Sequence, residues 1–213
     1  MNDTPVFRQS LEDTAAAIAD GLAVDGFHVC RDFLSPAVLA DLRTRLRLWW
    51  EEGELRRAAI GRGEKRKIDD DIRGDYVRWI DTDSNGVFAE FFAAHYEPIR
   101  LALNRELQLG LWDYEGHVTV YPPGRFYARH IDRFTDAAHR KVSCILYLNE
   151  DWLPAEGGEL RLYLPDVDGY EQSQDVLPEG GTLVTFLSDR FPHEVLPATR
   201  ERFSLTGWFC TRR

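Results

Sequence analysis

The sequence predicts an α+β fold in which helices come first and a β-barrel or sandwich follows. Three observations predict it. Up to residue 109 the apolar residues recur mainly at helical spacing. After Gly110 the chain turns into short runs rich in β-branched and aromatic residues, separated by Gly, Pro, Asn and Asp. A length of 213 residues, 44% of them hydrophobic, suits one full core. The expectation is therefore a single domain, 1–213, with residues 1–109 as mainly helical support and 110–213 as the β-barrel.

In chain order, "SLEDTAAAIADG" opens with Ser10 as an N-cap, carries Asp13 three residues on, and marks Gly21 as its stop. "LAVDGFHVCRDFL" reads as a short strand. "SPAVLADLRTRLRLWWEEG" has Ser35 as N-cap, Pro36 in the first turn and Gly53 at its end. Its Trp49–Trp50 pair is placed to pack the helix onto the sheet. Residues 54–74 form a charged, glycine-containing stretch, and a segment of that length without structure of its own is a functional loop or a solvated linker. "DYVRWID" is a strand. The helical pattern of 86–109 should divide at Pro98. Beyond it, "GHVTVYPPG", "RFYARHID", "KVSCILYLNE", "GGELRLYL", "GGTLVTFLS", "HEVLPA" and "RFSLTGWFC" are the strands, with Gly157 and Gly158 forming a turn.

Charge and composition exclude several classes. A net charge of −10 disfavours non-specific binding to nucleic acid. No apolar run approaches the roughly 20 residues of a membrane span, and "MNDTPVFRQSLEDT" lacks the basic-then-apolar order of a signal peptide. Cys30, Cys144 and Cys210 are odd in number and widely spaced, which reads as reduced thiols of a cytoplasmic protein.

The chemistry concentrates in "FYARHIDRF". His130 and Asp132 share a strand face by the period of two, but an H-x-D pair alone is weak evidence. The strand "RFSLTGWFC" carries Arg202, Ser204, Thr206 and Trp208 on one face and Phe203, Leu205 and Phe209 on the other. If the apolar face packs on the helices, Arg202 lies in the barrel interior. There a guanidinium needs an anion, and a ligand carboxylate suits its bidentate fork. His193 stands nine residues before Arg202, and the turn "PATRE" should let the two strands pair. Two histidines and one carboxylate with open positions are the ligand set of non-haem Fe(II) oxygenases, whereas structural zinc would want a fourth ligand. His28, His95 and His139 lack matching partners and read as structural or surface residues. His117 shares strand parity with Tyr121 and faces the same interior.

"RGDYVRWID", "YPPGRFYARHID", "VSCILYLNEDW", "GGELRLY", "SDRFPHEVLPA" and "RFSLTGWF" span residues 73–209. In order and spacing this text resembles the 2-oxoglutarate- and Fe(II)-dependent dioxygenases, and within them the prolyl 4-hydroxylase branch that includes the hypoxia-inducible-factor prolyl hydroxylases and their bacterial relatives. The resemblance implies a double-stranded β-helix, the cupin-like jelly-roll. It implies His130, Asp132 and His193 as iron ligands. It implies Arg202 and Tyr147 on the C5 carboxylate of 2-oxoglutarate, with Thr206 and Trp208 lining that pocket and Tyr121 near the iron. Arg129 is weaker, since its parity points away from the metal. The implied reaction consumes O2 and 2-oxoglutarate, gives succinate and CO2, and hydroxylates C4 of a prolyl residue, with ascorbate as reductant for over-oxidised iron. Three departures touch the rim of the pocket: a shortened turn in "YPPGRFY", Leu187 where the animal enzymes carry tryptophan, and His117 in place of a smaller apolar or thioether side chain.

Arg56, Arg57, Arg62, Lys65, Arg66 and Lys67 face only Glu64 within residues 55–67. Arg62, Lys65, Arg66 and Lys67 are therefore read as a basic lid over a polypeptide substrate, a proline loop with acidic neighbours. Elongation factor Tu is the first candidate by resemblance and a ribosomal protein the second. Two other readings stay open: an oxygenase of the same core acting on a small molecule such as a free amino acid, and a catalytically silent binding module.

Overall fold

The computed structural model describes residues 10–61, 67–81, 86–132, 137–167 and 170–212. Helix α1 (Leu11–Val24) begins at a full capping box: Ser10 Oγ accepts from the Asp13 N–H, and the Asp13 carboxylate accepts from the Ser10 N–H. The helix runs through Gly21 rather than stopping there. Asp25 caps it, and Gly26, at φ 82°, takes the left-handed turn. Gly21 is small because a Cβ there would lie 2.7 Å from His28 Nδ1 on strand β1 (Phe27–Cys30). Helix α2 (Pro36–Glu51) starts at Ser35 and buries Leu42 and Leu46, one turn apart. Its Trp49 stacks on Phe88 at 5.3 Å, and Trp50 meets Tyr76 edge-on at 5.1 Å.

The helical stretch before residue 109 divides as Pro98 demands. Helix α3 (Val87–Phe91) passes into a π-helical turn (Phe92–Tyr96), and α4 (Glu97–Leu107) begins with Pro98 in its first turn. Proline has no N–H for the bond an α-helix would need, and the wider turn ahead of it absorbs the mismatch.

The strands form two antiparallel sheets. The larger contains β1, β2 (Arg56–Arg57), β3 (Tyr76–Trp79), β4 (Leu111–Tyr121), β6 (Arg140–Tyr147), β9 (Leu183–Leu187) and β11 (Arg202–Thr211), in the order β1-β9-β6-β11-β4-β3-β2. The smaller contains β5 (Tyr127–His130), β7 (Leu160–Val167), β8 (Tyr170–Val176) and β10 (His193–Val195), in the order β5-β10-β7-β8. This is the jelly-roll arrangement.

Alternation along the large sheet makes two cores. Val118, Val142, Leu146, Phe203, Leu205 and Phe209 point outward and pack with Ile18, Leu42, Leu46, Ile99 and Leu103 of the helices. The intervening residues Tyr121, Ile145, Tyr147, Val184 and Phe186 point inward, where Leu160, Leu162, Phe191 and Val195 meet them. Each large apolar side chain so buried contributes about 1.5–3 kcal/mol. The helices therefore close one face of the large sheet, and the small sheet closes the other over a mixed interior.

The strand of His193 does not pair with that of Arg202. β10 pairs with β5 and β7 in the small sheet, while β11 lies between β4 and β6 in the large one. The turn between them is bonded elsewhere: Gly158 N–H donates to Pro197 O at 3.0 Å, Gly124 N–H to Ala198 O at 2.7 Å and Thr199 N–H to Glu156 O at 2.9 Å. The chain crosses from one sheet to the other there. Gly157 must be glycine, because at φ 70° its Cβ would sit 2.7 Å from Pro197 O.

The 54–74 stretch has structure where it is described. β2 pairs with β3, and Ile60 and Lys67 exchange both backbone hydrogen bonds at 2.9 and 3.0 Å. Arg62, Lys65 and Arg66 lie outside the described residues. Lys67 Nζ donates to Asp69 at 2.7 Å, and Asp70 pairs with Arg57 and Arg125. The basic run, opposed within residues 55–67 only by Glu64, is followed at once by acids that engage part of it, Asp69 on Lys67 and Asp70 on Arg57.

Candidate metal centre and the adjoining cavity

His193 and His130 stand opposite one another in register across β10 and β5. Their ring centroids are 4.2 Å apart. Each ring fixes its Nδ1 on a backbone carbonyl two residues earlier: His130 on Ala128 O at 2.9 Å and His193 on Phe191 O at 3.0 Å. Both Nε2 atoms then turn to Asp132, at 3.6 Å from Oδ1 and 3.7 Å from Oδ2. One ligand atom from each of the three residues lies within 4.8 Å of the others. A carbonyl on Nδ1 selects the tautomer whose Nε2 lone pair can bind a metal.

The large sheet holds the carboxylate. Ser143 Oγ donates to Asp132 Oδ2 at 2.7 Å and lies 3.0 Å from Ser188 Oγ. Burial pushes the Asp132 carboxyl up, but His193, His130 and the Ser143 hydroxyl together pull it well below the usual range. Burial brings the His193 imidazole down to about 4, against the pull of Asp132. The trio is thus an ionised carboxylate with a neutral His193, a donor set suited to a divalent cation.

Deeper in the same interior, Arg202 begins β11 opposite Tyr121 and is 1% exposed. Its Nε donates to Gly158 O at 2.8 Å. Its Nη2 has no hydrogen-bond partner among the described residues, and neither does the buried Tyr147 hydroxyl or Trp208 Nε1. The guanidinium carbon lies 4.9 Å from the Tyr147 ring and 5.3 Å from the Tyr121 ring. Burial raises the Tyr147 phenol to about 12 against the Arg202 charge, so it stays a donor. Buried donors without acceptors, one of them on a cation, are costly unless an anion completes them. A carboxylate-bearing small molecule fits this cradle.

The structure places the remaining residues as follows. Tyr121, Thr206 and Trp208 lie on the inner face, with Arg140 over the Trp208 ring at 3.6 Å. His117 also faces inward, bonded to Thr119 Oγ1 at 2.8 Å and packed edge-on against Trp79. It does not join the metal-binding trio. Arg129 points outward onto Glu171 and Tyr163.

Sequence reasoning missed two supports. One is the Ser143–Ser188 pair beneath Asp132. The other is Arg73, which grips fully buried Asp75 through a two-pronged contact at 2.7 and 2.5 Å and stacks over Tyr127 at 4.3 Å. Tyr127 in turn stacks on His130 at 3.6 Å. The "RGD" of residues 73–75 was legible as text, but its pairing with a tyrosine on another strand was not.

Residues 116–210 match the family described as the 2OG-Fe(II) oxygenase superfamily. A crystal structure of a Pseudomonas putida prolyl-4-hydroxylase is 46% identical and superposes with a TM-score of 0.82, covering 93% of this chain and 100% of that one. A Trichoplax adhaerens prolyl hydroxylase, solved in complex with a peptide fragment of the hypoxia inducible factor oxygen degradation domain, is 26% identical with a TM-score of 0.82, covering 94% of this chain and 90% of that one. Human Egl nine homolog 1 is 31% identical over 193 residues, which is 86% of this chain but only 43% of the human protein's length.

Proposed function

This chain belongs to the prolyl hydroxylase branch of the 2-oxoglutarate- and Fe(II)-dependent oxygenases, and from that premise we propose that it hydroxylates a prolyl residue of another protein at C4. The observation that carries the proposal is the pairing of two features inside one interior. One is the His130–Asp132–His193 trio; the other is the unsatisfied donor pair of Arg202 Nη2 and the Tyr147 hydroxyl.

In this reading His130, Asp132 and His193 hold Fe(II). Iron held there would supply the chemistry that couples decarboxylation of 2-oxoglutarate, to succinate and CO2, with transfer of oxygen from O2 to a C–H bond. Arg202 and Tyr147 grip the far carboxylate of the cosubstrate, and so set which end of it faces the metal. Thr206, Trp208 and Tyr121 wall the pocket and exclude water. Ser143 and Ser188 hold Asp132 in place.

A polypeptide substrate is supported by the relative solved with a bound peptide. Elongation factor Tu is the leading target by resemblance, and a ribosomal protein is next. The reaction would run in the cytoplasm, with ascorbate as the reductant that restores the iron.

The test is succinate release from 2-oxoglutarate with and without candidate proteins, with mass spectrometry for one added oxygen on proline. Succinate release that rises with a protein target and places oxygen on its proline supports the reading. Release that rises only with small amino acids would replace it with the small-molecule alternative. No release with any substrate, from iron-loaded protein, would leave a silent binding module.

A further inference from the structure

A second cluster of metal-ligating side chains lies outside the centre described above. Glu115 on β4, His139 just before β6 and Cys210 near the end of β11 bring one ligand atom each within 4.8 Å of one another. His139 Nε2 is 3.4 Å from Glu115 Oε1. The three residues come from separate segments, yet the sheet fixes two of them. In the β4–β11 ladder Trp208 is opposite Glu115 and Cys210 opposite Asp113. They border a cavity of about 450 Å³ that is also lined by Trp112, Asp113, Thr211 and Arg212.

We propose that Glu115, His139 and Cys210 bind a divalent cation of the zinc class, with a water or the Asp113 carboxylate completing its shell from the cavity side. The chemistry of the donor set selects the metal. Imidazole, thiolate and carboxylate together suit a borderline-soft ion that accepts four ligands, and they disfavour magnesium or calcium, which take oxygen alone. Four-coordinate zinc with ligands at about 2.0–2.3 Å requires donor atoms roughly 3.3–3.8 Å apart. The 3.4 Å between His139 Nε2 and Glu115 Oε1 lies in that range, and one ligand atom of Cys210 is within 4.8 Å of one from each of the other two.

Two neighbours bear on the site. Arg140 Nε donates to Glu115 Oε1 at 2.5 Å, so a cation there must share the carboxylate with the guanidinium. Cys210 Sγ lies 3.5 Å from Trp208 O. A thiol binds a metal as thiolate, so binding expels its proton, and affinity should rise with pH. Because Arg140 also covers Trp208, the second ion would sit one side chain away from the wall of the reaction interior.

Cobalt(II) separates this site from the first, since His130, Asp132 and His193 offer no sulfur. Metal-free wild-type protein titrated with cobalt(II) should bind two equivalents and show a thiolate-to-cobalt charge-transfer band in the near ultraviolet. Cys210→Ser and His139→Ala should each bind one equivalent and lose that band. Cys30→Ser, at a half-exposed thiol in β1, should keep both. A wild-type protein that binds a single equivalent, or shows no such band, overturns the proposal, as does a band that survives in Cys210→Ser. The wild-type measurement decides the matter even if a variant fails to fold.

Discussion

His193 faces His130 directly across two antiparallel strands, and each imidazole is anchored by Nδ1 to the carbonyl two residues before it in the chain. The backbone ladder therefore sets the separation of the two Nε2 atoms before any metal arrives. Asp132, two residues beyond His130 at the end of β5, is held from the other sheet by Ser143. The centre is thus assembled across the interior, with the small sheet giving both histidines and the large sheet orienting the carboxylate.

Removal of either histidine should empty that centre without unfolding the barrel. His193→Ala and His130→Ala are expected to lose most of the bound iron and nearly all succinate release while keeping native circular dichroism. Ser143→Ala should keep iron but bind it about 10–100-fold more weakly, the usual effect of losing a group that orients a ligand. Iron content after desalting and turnover measure both. A His193→Ala protein with full iron content would remove the residue from the centre.

The positions that sequence reasoning found and those it missed differ in physical kind. The period of two along β11 separated Arg202 from Phe203 and Leu205, and each side fell where its polarity requires, because alternation is local. The partner of β10 was misassigned because pairing is non-local: the short turn to β11 allows a hairpin, but the turn is bonded elsewhere, accepting from the Gly158 and Gly124 N–H groups at Pro197 O and Ala198 O and donating from the Thr199 N–H to Glu156 O. Gly21 was misjudged for a related reason. Its small size answers to His28 on the next strand, not to the end of its own helix. The ligand residues were legible because their identities are rare; their supports, Ser143, Ser188 and Tyr127, are ordinary residues whose role exists only in three dimensions.

Arg202 and Tyr147 should contribute unequally to cosubstrate binding. Arg202→Ala removes a buried cation from a buried anion and leaves the anion uncompensated, a loss on the order of 3–5 kcal/mol, or about 10²-fold and more in affinity. Tyr147→Phe removes one neutral donor, about 1 kcal/mol. Titration of 2-oxoglutarate into the Mn(II)-loaded protein reads both, and metal content should stay unchanged. Equal effects would make Arg202 a structural residue that closes onto Gly158.

His117 should add to the protein's acid sensitivity. The ring is 6% exposed, and burial, with the Arg73 charge adding to it, depresses its pKa to about 4. A histidine whose folded value lies below the unfolded value near 6.5 costs nothing above about pH 6.5. As pH falls from there toward about 4, protonation favours the unfolded chain, up to about 3 kcal/mol in all, with no further loss below. His117→Met keeps a side chain of similar size without a titrating group. Its denaturant midpoint should fall less than that of wild type between pH 6.5 and 4, while the two run parallel at higher pH. Parallel curves throughout would place the ring in contact with solvent.

The basic run should act on the substrate through charge, and unevenly. Lys67 is already engaged by Asp69, and its backbone is tied to Ile60, so Lys67→Gln removes a cation that is largely spoken for. Arg62, Lys65 and Arg66 add three positive charges to a chain of net charge −10, opposed within residues 62–66 only by Glu64. Such a local field attracts an acidic partner and is screened over about 10 Å at 0.1 M salt. Changing Arg62, Lys65 and Arg66 together to Gln should therefore raise the KM for a protein substrate severalfold at low salt and leave it nearly unchanged at high salt. The rate of 2-oxoglutarate decarboxylation without substrate should not move, because the Arg202 and Tyr147 side chains assigned to the cosubstrate are unchanged in that variant. Lys67→Gln alone should shift KM much less than the triple change. A triple variant with wild-type KM at low salt would show that substrate selection lies in the walls of the reaction interior, at Trp208, His117 and Arg140, and not in the charge of this segment.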